Sequence, residues 1–115
     1  MRSSSSRQRL PDILDNILAI EDFTRGLTLE TYLADRKTIY AVTRALEIIS
    51  EASRHISDDA KRLHGQVNWP ALAAVGNVCR HEYEAVDDGF VWQTVQKHPS
   101  ILKSVVEQEL KRASE

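Results

Sequence analysis

The 115-residue sequence has one cysteine, three prolines, four glycines and a net charge of only −2. A lone cysteine, Cys79, allows no intrachain disulfide and no cysteine zinc cluster. So small a net charge gives no chain-wide positive field, and nucleic-acid binding would need a local patch. No apolar run approaches the roughly 20 residues that cross a bilayer. The opening "MRSSSSRQRL" lacks the apolar centre of a secretory signal. It reads as a flexible leader over residues 1–9, and the expected location is the cytoplasm. No phosphate-cradling loop with repeated glycines is present. The histidines His55, His64 and His98 have no metal-ligand spacing with His81, so neither a metal nor a cofactor is expected.

What remains is rich in Ala, Leu, Glu, Arg and Ile, with long stretches between the few breakers. That composition favours helices joined by short turns. Residues 10–113 are enough for a single domain with a real core, but leave little volume for a deep enclosed cleft. A site would form more easily at an edge or between two copies.

The apolar spacing predicts an all-α, antiparallel bundle of about five helices. The first starts near Leu10, with Pro11 in its first turn and Asp12 at the positive end of its dipole. Ile13, Leu14, Ile17, Ile20 and Leu27 form its stripe, and Gly26 stops it. The second is the longest, Leu29 to Ile56. Thr28 is its N-cap, and Thr31 in place of Glu leaves the capping box incomplete. Along it Ile39, Val42, Leu46, Ile49, Ser53 and Ile56 recur at alternating steps of three and four, the spacing of a bundle seam. "SDDAKRLHGQV" reads as a loop region. The third helix opens at Asn68 and Pro70, and a fourth at Asp87 and Asp88. The last opens at Pro99, with Leu102, Val105, Val106 and Leu110 inward and Lys111 and Arg112 in its final turn.

The third helix carries the unusual chemistry. In "VGNVCRHEYEAVDDGFVW", Leu72, Val75 and Cys79 continue the core stripe. Asn77 and His81, four residues apart, share another face. At about 100° per residue, His81 points about 200° from Cys79. The small Ala73 and Ala74 continue that side and would admit another helix, most simply that of a second copy. An imidazole titrates near neutrality and can move protons either way. Asn77 and the adjacent Arg80 are residue types that bind and orient phosphates. Tyr83 joins His81 only if the helix ends or loosens within residues 82–86; otherwise Tyr83 belongs to the core side.

Four segments, "DILDNILAIEDFTRG", "AVTRALEIISEAS", "VNWPALAAVGNVCRHEY" and "VDDGFVWQTV", resemble in that order the HepT-like branch of the HEPN superfamily. The likeness runs from about Leu10 to Leu110, and its most specific piece is Asn77, His81 and Tyr83. It implies a homodimer whose motif helices meet across a cleft, a metal-independent endoribonuclease, and a toxin of a toxin–antitoxin pair. The implied partner is a minimal nucleotidyltransferase antitoxin, which in some pairs transfers AMP to the motif tyrosine, here Tyr83. Asn77 and His81 are then the catalytic pair, and Arg80 is a candidate phosphate contact.

Two positions depart from the family pattern. Gly76 stands where the motif has Arg, and Ser50 stands where the family usually has Gly. Without the Arg, either Arg80 serves the phosphate or the nuclease is weakened or lost. A non-catalytic HEPN binding module and a nucleotide-binding accessory subunit are the alternatives. Glu51, if buried beside the motif helix, is expected to pair with Arg80, Arg54 or water.

Overall fold

The computed structural model describes residues 6–81 and 99–114, with side chains at 9–76 and 101–112. Among the described residues the chain forms six helices. They are α1 (Ser6–Thr24), α2 (Leu29–Leu33), α3 (Arg36–Ser53), α4 (Asp58–Leu63), α5 (Trp69–His81) and α6 (Pro99–Ser114). Helix α3 is central: α1 and α5 both pack on it, and α6 packs on α1.

The predicted stripes make the core. Ile13, Ile17 and Ile20 of α1 are buried against Val42, Leu46 and Ile49 of α3, and Leu102 and Val106 of α6 join them. Leu14, Leu27, Leu72 and Val75 pack partly buried around this centre. Fully burying a side chain of this size contributes about 1.5–3 kcal/mol relative to leaving it exposed. These contacts therefore fix where α3 lies, and the other helices are placed from it.

The boundaries differ from expectation in four places. Helix α1 begins at Ser6, not near Leu10. Arg7, Gln8 and Arg9 are good helix formers, and Leu10 is already in the core at 5% exposure. Pro11 therefore sits inside the helix. The expected long second helix is broken into α2 and α3. The carboxylate of Asp35 accepts from the Thr38 amide at 3.1 Å and from the Thr38 hydroxyl at 2.7 Å, which starts a new helix at Arg36. The fully buried Tyr32 holds α2 in place before the break. The capping box at Thr28 is complete, because the Thr31 hydroxyl accepts from the Thr28 amide at 2.8 Å, doing the work expected of Glu. The expected loop after Ser57 contains α4, capped by the Ser57 hydroxyl on the Ala60 amide.

Other expectations hold. Gly26 follows α1 at a φ of +79°, a left-handed conformation that glycine adopts without steric cost. Asn68 caps α5 by accepting from the Ala71 amide at 3.1 Å. Lys111 and Arg112 occupy the last turn of α6. The helix expected from Asp87 lies outside the described residues.

A buried polar cluster ties the α4–α5 connection to α6. Nε2 of His64 lies 2.8 Å from Oε1 of Glu109, and both side chains are buried. Arg112 donates to the same carboxylate through Nε at 3.0 Å and Nη2 at 2.8 Å. The His64 carbonyl accepts the indole N–H of Trp69 at 3.1 Å. The Arg112 guanidinium, joined by His64, holds the Glu109 carboxyl below its ordinary pKa, against the opposing effect of burial. A depressed carboxyl stabilises the fold fully above the ordinary glutamate range and loses that contribution as pH falls through its lower folded value. Glu109→Ala should therefore cost about 1–3 kcal/mol at neutral pH by leaving His64 without its acceptor. The variant should also show a shallower loss of stability on acidification than the wild type, as read by urea unfolding at a series of pH values.

Candidate functional site

The backbone of α5 is helical from Trp69 through His81. Asn77 and His81 are therefore one turn apart on one face. The side chains of Asn77, Arg80 and His81, and all of Tyr83 and His98, lie outside the described residues. What the structure shows in detail is how the turn before Asn77 is held.

Helix α3 grips that turn through one hydroxyl. Oγ of the buried Ser50 donates to the carbonyl of Ala73 at 2.9 Å and accepts the amide of Gly76 at 3.0 Å. Within an α-helix the Ala73 carbonyl is also the partner of the Asn77 amide. The Ser50 hydroxyl thus engages the carbonyl that Asn77 uses and the amide immediately before Asn77. Ser50 lies one turn before Arg54 on α3, and Nη2 of Arg54 donates to the same Ala73 carbonyl at 3.2 Å. The Ser50 backbone carbonyl in turn accepts the hydroxyl of the buried Ser53 at 2.7 Å.

Gly76 is buried in this contact. A hydroxyl 3.0 Å from its amide shows how closely the two helices approach. Position 76 therefore faces α3, and the glycine that stands where the resemblance implies Arg is a packing residue within the chain. Ala73 was expected to admit a second copy; the helix that meets its carbonyl is α3 of the same chain, while Ala74 is exposed.

Glu51 does not take the buried role considered for it. It is exposed, and its Oε2 lies 3.3 Å from Nε2 of His55, one turn along α3. It does not pair with Arg54, because its position on α3 turns it to solvent while Ser50 turns inward; the Arg80 side chain lies outside the described residues. Glu51 also borders a cleft of ≈ 250 Å³ between α1 and α3, together with Arg9, Asp12, Arg44 and Glu47. Three carboxylates against two guanidiniums make that cleft a poor seat for a phosphodiester.

A family model described as ribonuclease HepT-like matches residues 13–109. The chain belongs to this family. It is 43% identical over 103 residues to the protein named "Probable ribonuclease HepT" of Thermococcus cleftensis, covering 90% of this chain and 94% of that one. It is 34% identical over 108 residues to "Putative RNase MJ0127" of Methanocaldococcus jannaschii, covering 93% and 89%. No solved structure matches. The all-α architecture and the matched span agree with the HepT-like resemblance of the sequence, and no helix among the described residues is long and apolar enough to cross a membrane.

Position 50 could have been singled out by its side chain alone, since a serine in a bundle seam must find hydrogen-bond partners. Its partners lie 23 and 26 residues away and are not visible in local spacing. Gly76→Arg should destabilise the chain by about 1–3 kcal/mol through overpacking against Ser50. Adding Ser50→Gly should recover part of that loss, a non-additivity of about 0.5–3 kcal/mol measurable by urea unfolding of the two single variants and the double.

Proposed function

We propose that this chain is a metal-independent endoribonuclease and the toxin of a toxin–antitoxin pair. Membership of the HepT-like ribonuclease family over residues 13–109 carries the reading. The i, i+4 placement of Asn77 and His81 on a regular helix supports it.

In the proposed reaction the RNA 2′-OH attacks the adjacent phosphorus and the P–O5′ bond breaks. The products are a 2′,3′-cyclic phosphate and a 5′-OH. One His81 accepts the 2′-OH proton, and a second His81, from the other copy in a homodimer, gives a proton to the departing 5′ oxygen. Asn77 holds a phosphate oxygen or orients the imidazole. The 2′-OH supplies the nucleophile, so no metal-bound water is required.

The partner in this reading is a minimal nucleotidyltransferase antitoxin. Transfer of AMP to the Tyr83 hydroxyl would release pyrophosphate from ATP and leave negative charge beside the RNA path. Repulsion of the substrate phosphate would then block cleavage. The match of Tyr83 to the family motif supports this step.

Gly76 leaves α5 without the guanidinium of the motif. Such a clamp on developing phosphorane charge is worth on the order of 10²–10³ in rate. Cleavage should accordingly be slow. Purified protein in EDTA should cut RNA to products ending in 2′,3′-cyclic phosphate, and His81→Ala should lower the rate by roughly 10²–10⁴. Equal background cleavage by the two proteins would instead identify a binding module.

A further inference from the structure

The missing side chain at position 76 directs attention to cations that α3 brings to the motif helix. Arg54 is such a cation. It follows the last residue of α3 as its C-cap, is exposed, and lays its Nη2 3.2 Å from the Ala73 carbonyl. Ala73, Asn77 and His81 are spaced i, i+4, i+8, so they fall within about 80° on one face of α5. The guanidinium of Arg54 therefore sits at the foot of the face that carries the two motif residues.

Its charge has no acidic partner among the described residues; the nearby Glu51 pairs with His55, and Arg44 pairs with Glu47 at 3.6 Å. A guanidinium has five N–H donors in a planar fork. The bond to the Ala73 carbonyl uses one donor, so it fixes the group's position and leaves donors for an anion.

We infer that Arg54 is an RNA-binding residue that holds a backbone phosphate next to the one being cleaved. The helix rise supplies the reason for a neighbouring phosphate: Ala73 lies roughly 12 Å along the axis from His81 and roughly 6 Å from Asn77. That separation suits a strand running along α5, with one phosphate at Arg54 and the reacting one beyond it. Arg54 thus positions the strand, and its loss should act on binding more than on the chemical step. This inference rests on the ribonuclease reading, but it is tested separately.

The probe is a fully 2′-O-methylated RNA oligonucleotide, which lacks the nucleophilic hydroxyl and cannot be cleaved by the proposed route. Binding to the full chain is followed by fluorescence anisotropy over a salt series in EDTA. Arg54→Gln keeps an N–H for the Ala73 carbonyl but removes the charge. It should weaken binding roughly 5- to 10-fold and reduce the salt slope by about one phosphate contact. Arg54→Lys should keep the slope, and Arg44→Gln should match the wild type. In the cleavage assay Arg54→Gln should raise KM by a similar factor with kcat within about threefold. Thermal unfolding of each variant confirms that the fold is kept.

An unchanged affinity and slope in Arg54→Gln would overturn the inference, as would a wild type that does not bind the probe. Loss of binding in Arg80→Gln alone, with Arg54→Gln unaffected, would overturn it in favour of the cation on α5. An Arg54-dependent slope in a protein that shows no His81-dependent cleavage would uphold the inference while removing the ribonuclease reading.

Discussion

The hydroxyl of Ser50 holds the motif helix in place. It lies between two helices, donates to the Ala73 carbonyl and accepts the Gly76 amide, so both of its capacities are used where water does not reach. A buried hydroxyl left unpaired would cost about 1–3 kcal/mol, so its two bonds strongly restrict how the helices can slide. Ser50 is carried by α3, and α3 is set by Val42, Leu46 and Ile49 against the isoleucines of α1. The placement of Asn77 thus descends from the hydrophobic core through one polar contact. A change in core packing that moved α3 by a fraction of a turn would break that contact before it exposed much apolar surface.

This arrangement explains the mixture of residue types in the segment before the motif. Apolar Leu72 and Val75 join the core. Ala73 and Gly76 face the incoming hydroxyl and guanidinium, where bulk would separate the helices. The glycine costs roughly 0.5–1 kcal/mol of helix propensity relative to alanine. The hydrogen bond to its amide and the close approach it permits offset that cost. A polar residue in a predicted seam and a glycine in a predicted helix are each unfavourable locally, and together they form a satisfied contact.

Much of the fold was legible because apolar periodicity reports burial directly. Ile13, Ile17 and Ile20 were predicted inward and are among the most buried side chains, as are Val105 and Val106 of α6. What was not legible depended on competition or on distance. The seam runs from Ile39 to Ile56, and its periodicity does not register that the Asp35 carboxylate can accept the Thr38 amide at a new helix start. The Thr31 hydroxyl replaces a glutamate in the capping box, a substitution that the motif rule does not include. Glu51 was weighed as a buried partner of the site because it adjoins the seam; its side chain faces solvent, and the inward neighbour is Ser50. The one-turn spacing of Asn77 and His81 was visible in sequence. The support beneath it was not, because Ser50 and Arg54 come from another helix.

The HepT-like resemblance implies glycine at position 50 and arginine at position 76, where this chain has Ser50 and Gly76. In sequence they look unrelated, one on the long helix and one in the motif. In the structure they are hydrogen-bonded to each other. The Ser50 hydroxyl adds a second acceptor to a buried amide that already lies inside α5. The hydroxyl lies 3.0 Å from that amide, so the two positions form one contact. Gly76 is thus part of a close helix contact and carries no charge of its own. Arg54, one turn beyond Ser50 and bonded to the same Ala73 carbonyl, is the residue that this contact brings to the motif face.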